Sequence, residues 1–238
     1  MGTVEIGNLI NFPTEISRAN VSLDNAAIVD VSSVNGGSIT ANAADFQMSG
    51  ASKLQAGLIA GNGTIDLSKD IIINVTGNIN LLDRSLIANN IETGVVSNGG
   101  KIELTANSLS LTGGSRIQTK TDSNMSSADI NITANNSINI IGQADERFFS
   151  GILTIPAVKA AGDGGNISIQ TNHLLLNESG RISIETKGAG DSGNLFVKAT
   201  GNIDIIGANA VGLVSRFDAE VDRSATVMEG TLLLKPIT

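Results

Sequence analysis

Gly164-Gly165-Asn166-Ile167-Ser168-Ile169-Gln170-Thr171-Asn172-His173-Leu174-Leu175-Leu176-Asn177-Glu178-Ser179-Gly180-Arg181-Ile182-Ser183-Ile184 contains three short apolar-polar-apolar runs, beginning at Ile167, Leu174 and Ile182. A period of two sends alternate side chains to opposite faces and marks a half-buried strand. Gly, Asn and Ser separate the runs, which predicts three strands per unit, joined by turns. No segment of the chain sustains a period of 3.6 residues.

The unit recurs. Phe46, Met48, Lys53 and Leu54 correspond without a gap to Leu109, Leu111, Arg116 and Ile117 (109 − 46 = 63), and these to Leu174, Leu176, Arg181 and Ile182 (174 − 109 = 65). A second unit type lies between these. Ile79 and Leu81 match Ile138 and Ile140 (138 − 79 = 59), which match Ile203 and Ile205 (203 − 138 = 65). The two types alternate, with units approximately at 36-69, 70-98, 99-128, 129-163, 164-192 and 193-230 and a terminal segment at 231-238; Val21 to Val29 supplies part of another unit. Most units open on glycine, as in Gly36-Gly37, Gly99-Gly100 and Gly164-Gly165, where a tight corner calls for left-handed backbone.

Three strands per repeat, each stacked on its equivalent in the next, predict an all-β fold: a right-handed parallel β-helix, or three-sided β-solenoid, forming one domain over residues 1-238. Blades and sandwiches need hairpins, whereas these turns read as corners. Stacked at roughly 4.8 Å per layer, the units span about 30 Å. Asn107 and Asn172, at equivalent positions, are candidates for an asparagine ladder along the stack.

Composition narrows the function. The chain has 238 residues, 41% of them hydrophobic, yet no Trp, no Tyr and six Phe, so Ile, Leu, Val and Ala must fill the core. With 23 acidic against 15 basic residues, no nucleic-acid role is expected, because phosphate binding needs clustered Lys and Arg. No apolar run approaches the length of a membrane helix, so no membrane insertion is expected. The absence of cysteine excludes disulfides and thiolate chemistry.

Several motifs invite stronger readings. Gly188-Ala189-Gly190-Asp191-Ser192-Gly193 matches the dinucleotide fingerprint, but a strand, Leu195-Phe196-Val197, follows where a helix should begin. His173 stands alone, with Ser108 and Asp45 as its repeat equivalents, which argues against a metal ligand. Gly162-Asp163-Gly164-Gly165 is an isolated approach to a calcium repeat. No cofactor or metal site is expected. Clustered catalytic carboxylates and sugar-stacking Trp or Tyr are missing, so the chain reads as a non-enzyme.

Loops that leave a regular scaffold are the natural place for binding chemistry. Gln143 to Pro156 holds Asp145, Glu146, Arg147, Phe148 and Phe149, the candidate adhesive residues, and Ser215 to Glu229 holds Arg216, Asp218, Glu220, Asp222 and Arg223.

Units such as Gly164-Gly165-Asn166-Ile167-Ser168-Ile169 with Leu174-Leu175-Leu176 and Gly180-Arg181-Ile182-Ser183 resemble the repeats of filamentous-haemagglutinin-like proteins, especially the large cyanobacterial type, over about Val21 to Gly207. The resemblance implies a segment of a large secreted surface protein, exported through an outer-membrane two-partner-secretion transporter. It implies a cell-surface or matrix adhesin with a carbohydrate or protein surface as ligand. A passive stalk of a secreted toxin or protease is the alternative, and a polysaccharide lyase or hydrolase the remote one.

Overall fold

The computed structural model describes residues 3–6, 17–61, 70–145, 148–156, 160–186, 189–209, 212–221 and 232–236. Among these residues every regular element is a strand and none is a helix.

The strands form three parallel stacks. Stack a contains Ile39–Ala43, Ile71–Val75, the first halves of Lys101–Thr112, Asp129–Ile141 and Ile167–Asn177, then Leu195–Ala199 and Leu232–Pro236. Stack b contains Val21–Leu23, Phe46–Met48, Asn78–Leu81, the second halves of the same three long strands, and Ile203–Ile206. Stack c contains Ile28–Asp30, Lys53–Leu58, Leu86–Ile91, Arg116–Thr121, Gly151–Pro156, Arg181–Thr186 and Arg216–Val221. Each strand pairs in parallel with its repeat equivalent: Ile39, Ile71, Ile102, Ile130, Ile167 and Leu195 form one continuous column. Two antiparallel strand pairings, and an antiparallel bridge between Ala208 and Val214, stand apart. Thr3–Ile6 lies against Ile39–Ala43, and Gln143–Asp145 forms a small hairpin with Phe148–Phe149.

Alternation places the core. Ile71, Ile73, Ile102, Ile130, Ile138, Ile140, Ile167, Leu174 and Leu176 are fully buried, and their polar neighbours face outward. Burial of each such side chain contributes about 1.5–3 kcal/mol. In the last layer of stack b among the described residues, Ile205, in the column of the buried Leu176, is 44% exposed.

The three expected strands per unit are seen in the outer layers, but in the middle ones the first two fuse. Asp129–Ile141 runs unbroken, and one surplus residue at Asn135-Asn136 is absorbed as a bulge, since the pairing offset moves from 28 (134 − 106) to 29 (137 − 108).

Most of the glycine-rich unit starts serve a different purpose from the one expected; of those quoted, Gly36 has positive φ, at 84°. Gly37, Gly99, Gly165 and Gly193 do not have positive φ. They sit where layers come too close for a side chain: a Cβ on Gly165 would lie 1.9 Å from the carbonyl oxygen of Ala128. Left-handed backbone occurs instead between stacks b and c, where Asn25-Ala26, Gly50-Ala51, Asp83-Arg84, Gly113-Gly114 and Glu178-Ser179 each place two consecutive residues at positive φ. Three of these pairs carry no glycine, at a cost of roughly 1–2 kcal/mol per residue.

A buried serine column holds that corner. Ser52, Ser85, Ser115, Ser150 and Ser215 each precede a stack c strand and are at most 8% exposed. Ser52 Oγ donates to the Ser49 carbonyl at 2.7 Å and accepts the Ala27 N–H at 3.1 Å. Ser150 Oγ donates to the Ile141 carbonyl at 2.9 Å and accepts the Gly114 N–H at 3.0 Å. Ser115 Oγ accepts the Ser85 N–H at 3.2 Å, and Ser215 Oγ the Ser179 N–H at 3.1 Å. The hydroxyls of Ser52, Ser115, Ser150 and Ser215 therefore tie a turn to the layer before it, and that of Ser85 donates within its own turn to the Leu82 carbonyl at 2.6 Å.

Replacing Ser150 by Ala is expected to lower stability by about 1–3 kcal/mol, the cost of orphaning buried backbone groups, read from chemical denaturation. Gly165→Ala is expected to be worse than Gly113→Ala in the same assay, because a backbone clash cannot relax as a strained φ can.

Candidate functional site

The hairpin of Gln143–Asp145 and Phe148–Phe149 occupies a corner that takes three or four residues in the earlier layers and is comparably long only between Ile206 and Arg216, and it folds back over the outer edge of stack c. In register, Lys53, Leu86, Arg116, Gly151, Arg181 and Arg216 begin successive stack c strands and form one column. The missing side chain at Gly151 leaves a gap between Arg116 and Arg181. Phe149 fills it: its ring lies 4.4 Å from the Arg116 guanidinium and 4.2 Å from that of Arg181, measured to the ring centroid. A Cβ on Gly151 would meet the Phe149 ring at 3.2 Å and the Arg181 carbonyl oxygen at 2.9 Å.

Phe148 stacks on the next pair, 5.5 Å from Arg84 and 5.3 Å from Arg116. Two rings and three guanidinium groups thus alternate along the edge. Guanidinium planes favour this because the negative face of the ring attracts the cation, at about 0.5–2 kcal/mol per contact depending on desolvation. The Arg116 Nε–H also donates to the Phe149 carbonyl at 3.1 Å. Burial, and then the charge of Arg181, hold the Arg116 guanidinium below its ordinary value, while Asp145 acts in the opposite direction. Asp145 lies 3.9 Å from Arg84, with both side chains about half exposed, a geometry that contributes little energy.

Of the five candidate residues, Asp145, Phe148 and Phe149 come together here, and Glu146 and Arg147 lie outside the described residues. Phe149 is committed to packing; Phe148, at 39% exposure, remains on the surface with Arg84 and Asp145. The sequence marks Arg116 and Arg181 as repeat equivalents of Lys53 but not as partners of this loop, and Arg84 and Gly151 were not singled out. The signal was the one glycine in a column otherwise made of large side chains, together with a Phe two residues before it.

The second charged segment is not the expected loop where described. Arg216–Val221 is a strand pairing with Arg181–Thr186, because Phe217 and Ala219 continue the inward alternation. Arg216 Nε–H donates to the buried Asp218 at 2.6 Å, while Asp222 and Arg223 fall outside the described residues.

His173 has a structural role. In its column three side chains accept a backbone N–H from the following layer: Asn20 Oδ1 from Asp45, Asp45 Oδ1 from Asn78, and His173 Nδ1 from Asn202. The amide ladder also exists, but elsewhere than at Asn107 and Asn172. Asn172 Oδ1 accepts the Thr200 hydroxyl, whereas Asp129, Asn166 and Asn194 form the running ladder: Asp129 Oδ1 accepts both N–H groups of Asn166, and Asn166 Oδ1 accepts both of Asn194, at 2.7–3.1 Å.

Among the described residues no three His, Cys, Asp or Glu are grouped so as to hold a metal ion, and no helix is long and apolar enough to cross a membrane. No family model, curated protein or solved structure matches this chain.

Phe149→Ala is expected to lower stability by about 1–3 kcal/mol by emptying the space between the two guanidinium groups. The check is a thermal melt beside Phe148→Ala, which removes the more exposed ring and should cost less.

Proposed function

We propose that the chain is a segment of a right-handed, three-sided β-solenoid rod in a large secreted surface protein, and that it presents loops for adhesion to a carbohydrate or protein surface. The observation that carries the reading is the hairpin, which leaves a repetitive scaffold at one corner and is fixed in one place by its own aromatic residues. A loop held rigidly loses less entropy when it binds, so the scaffold pre-orders Phe148, Arg84 and Asp145 for contact. The parallel stacking of equivalent residues supports the rod, and the resemblance of the units to filamentous-haemagglutinin-like repeats supports surface display through an outer-membrane two-partner-secretion transporter.

One observation favours the passive stalk instead: Phe149 and Arg181 are consumed in packing the loop, which is what a loop needs merely to be stable.

The chain is to be tested on an array of glycans and extracellular-matrix proteins beside Phe148→Ala and a variant in which residues 143–149 are replaced by a short Gly-Ser turn. Specific binding that drops at least tenfold in both variants supports adhesion through this loop. Absence of binding by the intact chain, with its melt unchanged, supports the stalk.

A further inference from the structure

The interior of stack c changes character midway. Thr119, Thr154 and Ile184 occupy one inward column on successive layers, and all are fully buried. Across the corner, Ser127, Gly164 and Ser192 occupy the matching column. The register holds through that corner, since the Ser127 N–H donates to the Asp163 carbonyl and the Gly164 N–H to the Asp191 carbonyl, the same offset in both layers.

In the first of these layers the two columns satisfy each other: the Thr119 and Ser127 hydroxyls are 3.0 Å apart. In the next, Thr154 faces Gly164, and the Thr154 hydroxyl is buried with no protein partner. In the third, the roles reverse. Ser192 faces Ile184, and its hydroxyl too is buried with no protein partner. The two orphaned hydroxyls therefore lie on adjacent layers and flank the one position where the serine column lacks a side chain.

We infer that this position is a binding site for a single internal water molecule, which takes the place of the missing serine hydroxyl and bridges Thr154 Oγ1 to Ser192 Oγ, with Ser127 Oγ beside it. Two unpaired hydroxyls buried in an apolar core would each cost about a lost hydrogen bond, and buried waters occur where two to four polar groups converge. A hydroxymethyl group and a water are close in size, so the register of the neighbouring layers accommodates the exchange. The water accepts from one hydroxyl and donates to the other, so both are satisfied without protonation.

The test is an experimental structure at a resolution that shows ordered waters, together with melts of Thr154→Val and Ser192→Ala. The expected results are density between the two hydroxyls, and a fall in Tm of about 2–4 °C for each variant, a shift typical of one lost hydrogen bond in a chain of this size. Because both residues share one water, the double variant should fall by less than the sum. An empty position, or a Tm that rises in Thr154→Val, overturns the inference, because a dry site gains stability when its orphaned hydroxyl is removed.

Discussion

The structure depends on one constraint: the backbone N–H of each layer must find the carbonyl of the next at the same offset, in the strands and in the corners alike. The Ile130 N–H donates to the Asn166 carbonyl and the Ile167 N–H to the Asn194 carbonyl, and the same rule carries through Ser127 and Gly164. A parallel stack of this kind cannot slip by one residue without turning every Ile outward. Surplus residues must therefore leave the stack, as a bulge at Asn135-Asn136 or as the hairpin at 143–149.

Side chains enforce the register where backbone pairing is weakest. At one corner, buried serine hydroxyls accept N–H groups across layers; at the other two, exposed Asn, Asp and His side chains do so. Outside the core, polar residues here act as backbone substitutes more than as charged groups. This explains how a chain with so many Asn and Ser residues builds a rigid object, and why one acceptor column takes Asn, Asp and His at equivalent places: the column needs a lone pair, not a charge.

The strand positions were legible in the amino-acid order, because Ile130-Asn131-Ile132 and Ile167-Ser168-Ile169 state their inward and outward faces directly. Equivalent positions in the two unit types also pair as the spacing implies. The corners were less so. Glycine has two uses, unusual φ and absent volume, and a sequence does not distinguish them; Gly37, Gly99, Gly165 and Gly193 turned out to be of the second kind, and the left-handed corners include Asp83-Arg84 and Glu178-Ser179. The serine column was visible as a Ser before Lys53, Leu86, Arg116, Gly151 and Arg216, yet only the buried geometry gives it meaning. The ladder at Asp129, Asn166 and Asn194 begins with an aspartate, so a search for asparagine alone passes over it. The aromatic clamp was hidden for a different reason: Arg84, Arg116 and Arg181 meet Phe148 and Phe149 only because a loop of unpatterned sequence doubles back.

The gap at Gly151 gives that loop two unequal ends. Phe149 is joined to Gly151 through a single residue, so the ring is delivered to its slot by covalent geometry, and the returning arm of the hairpin is phased as strictly as a strand. The outgoing arm is held by its pairing at Gln143 and Asp145 and by no covalent tie to a strand start. The last three residues before Gly151 must therefore keep their count, and it is this short tether that makes the edge of the scaffold close on the same two arginines.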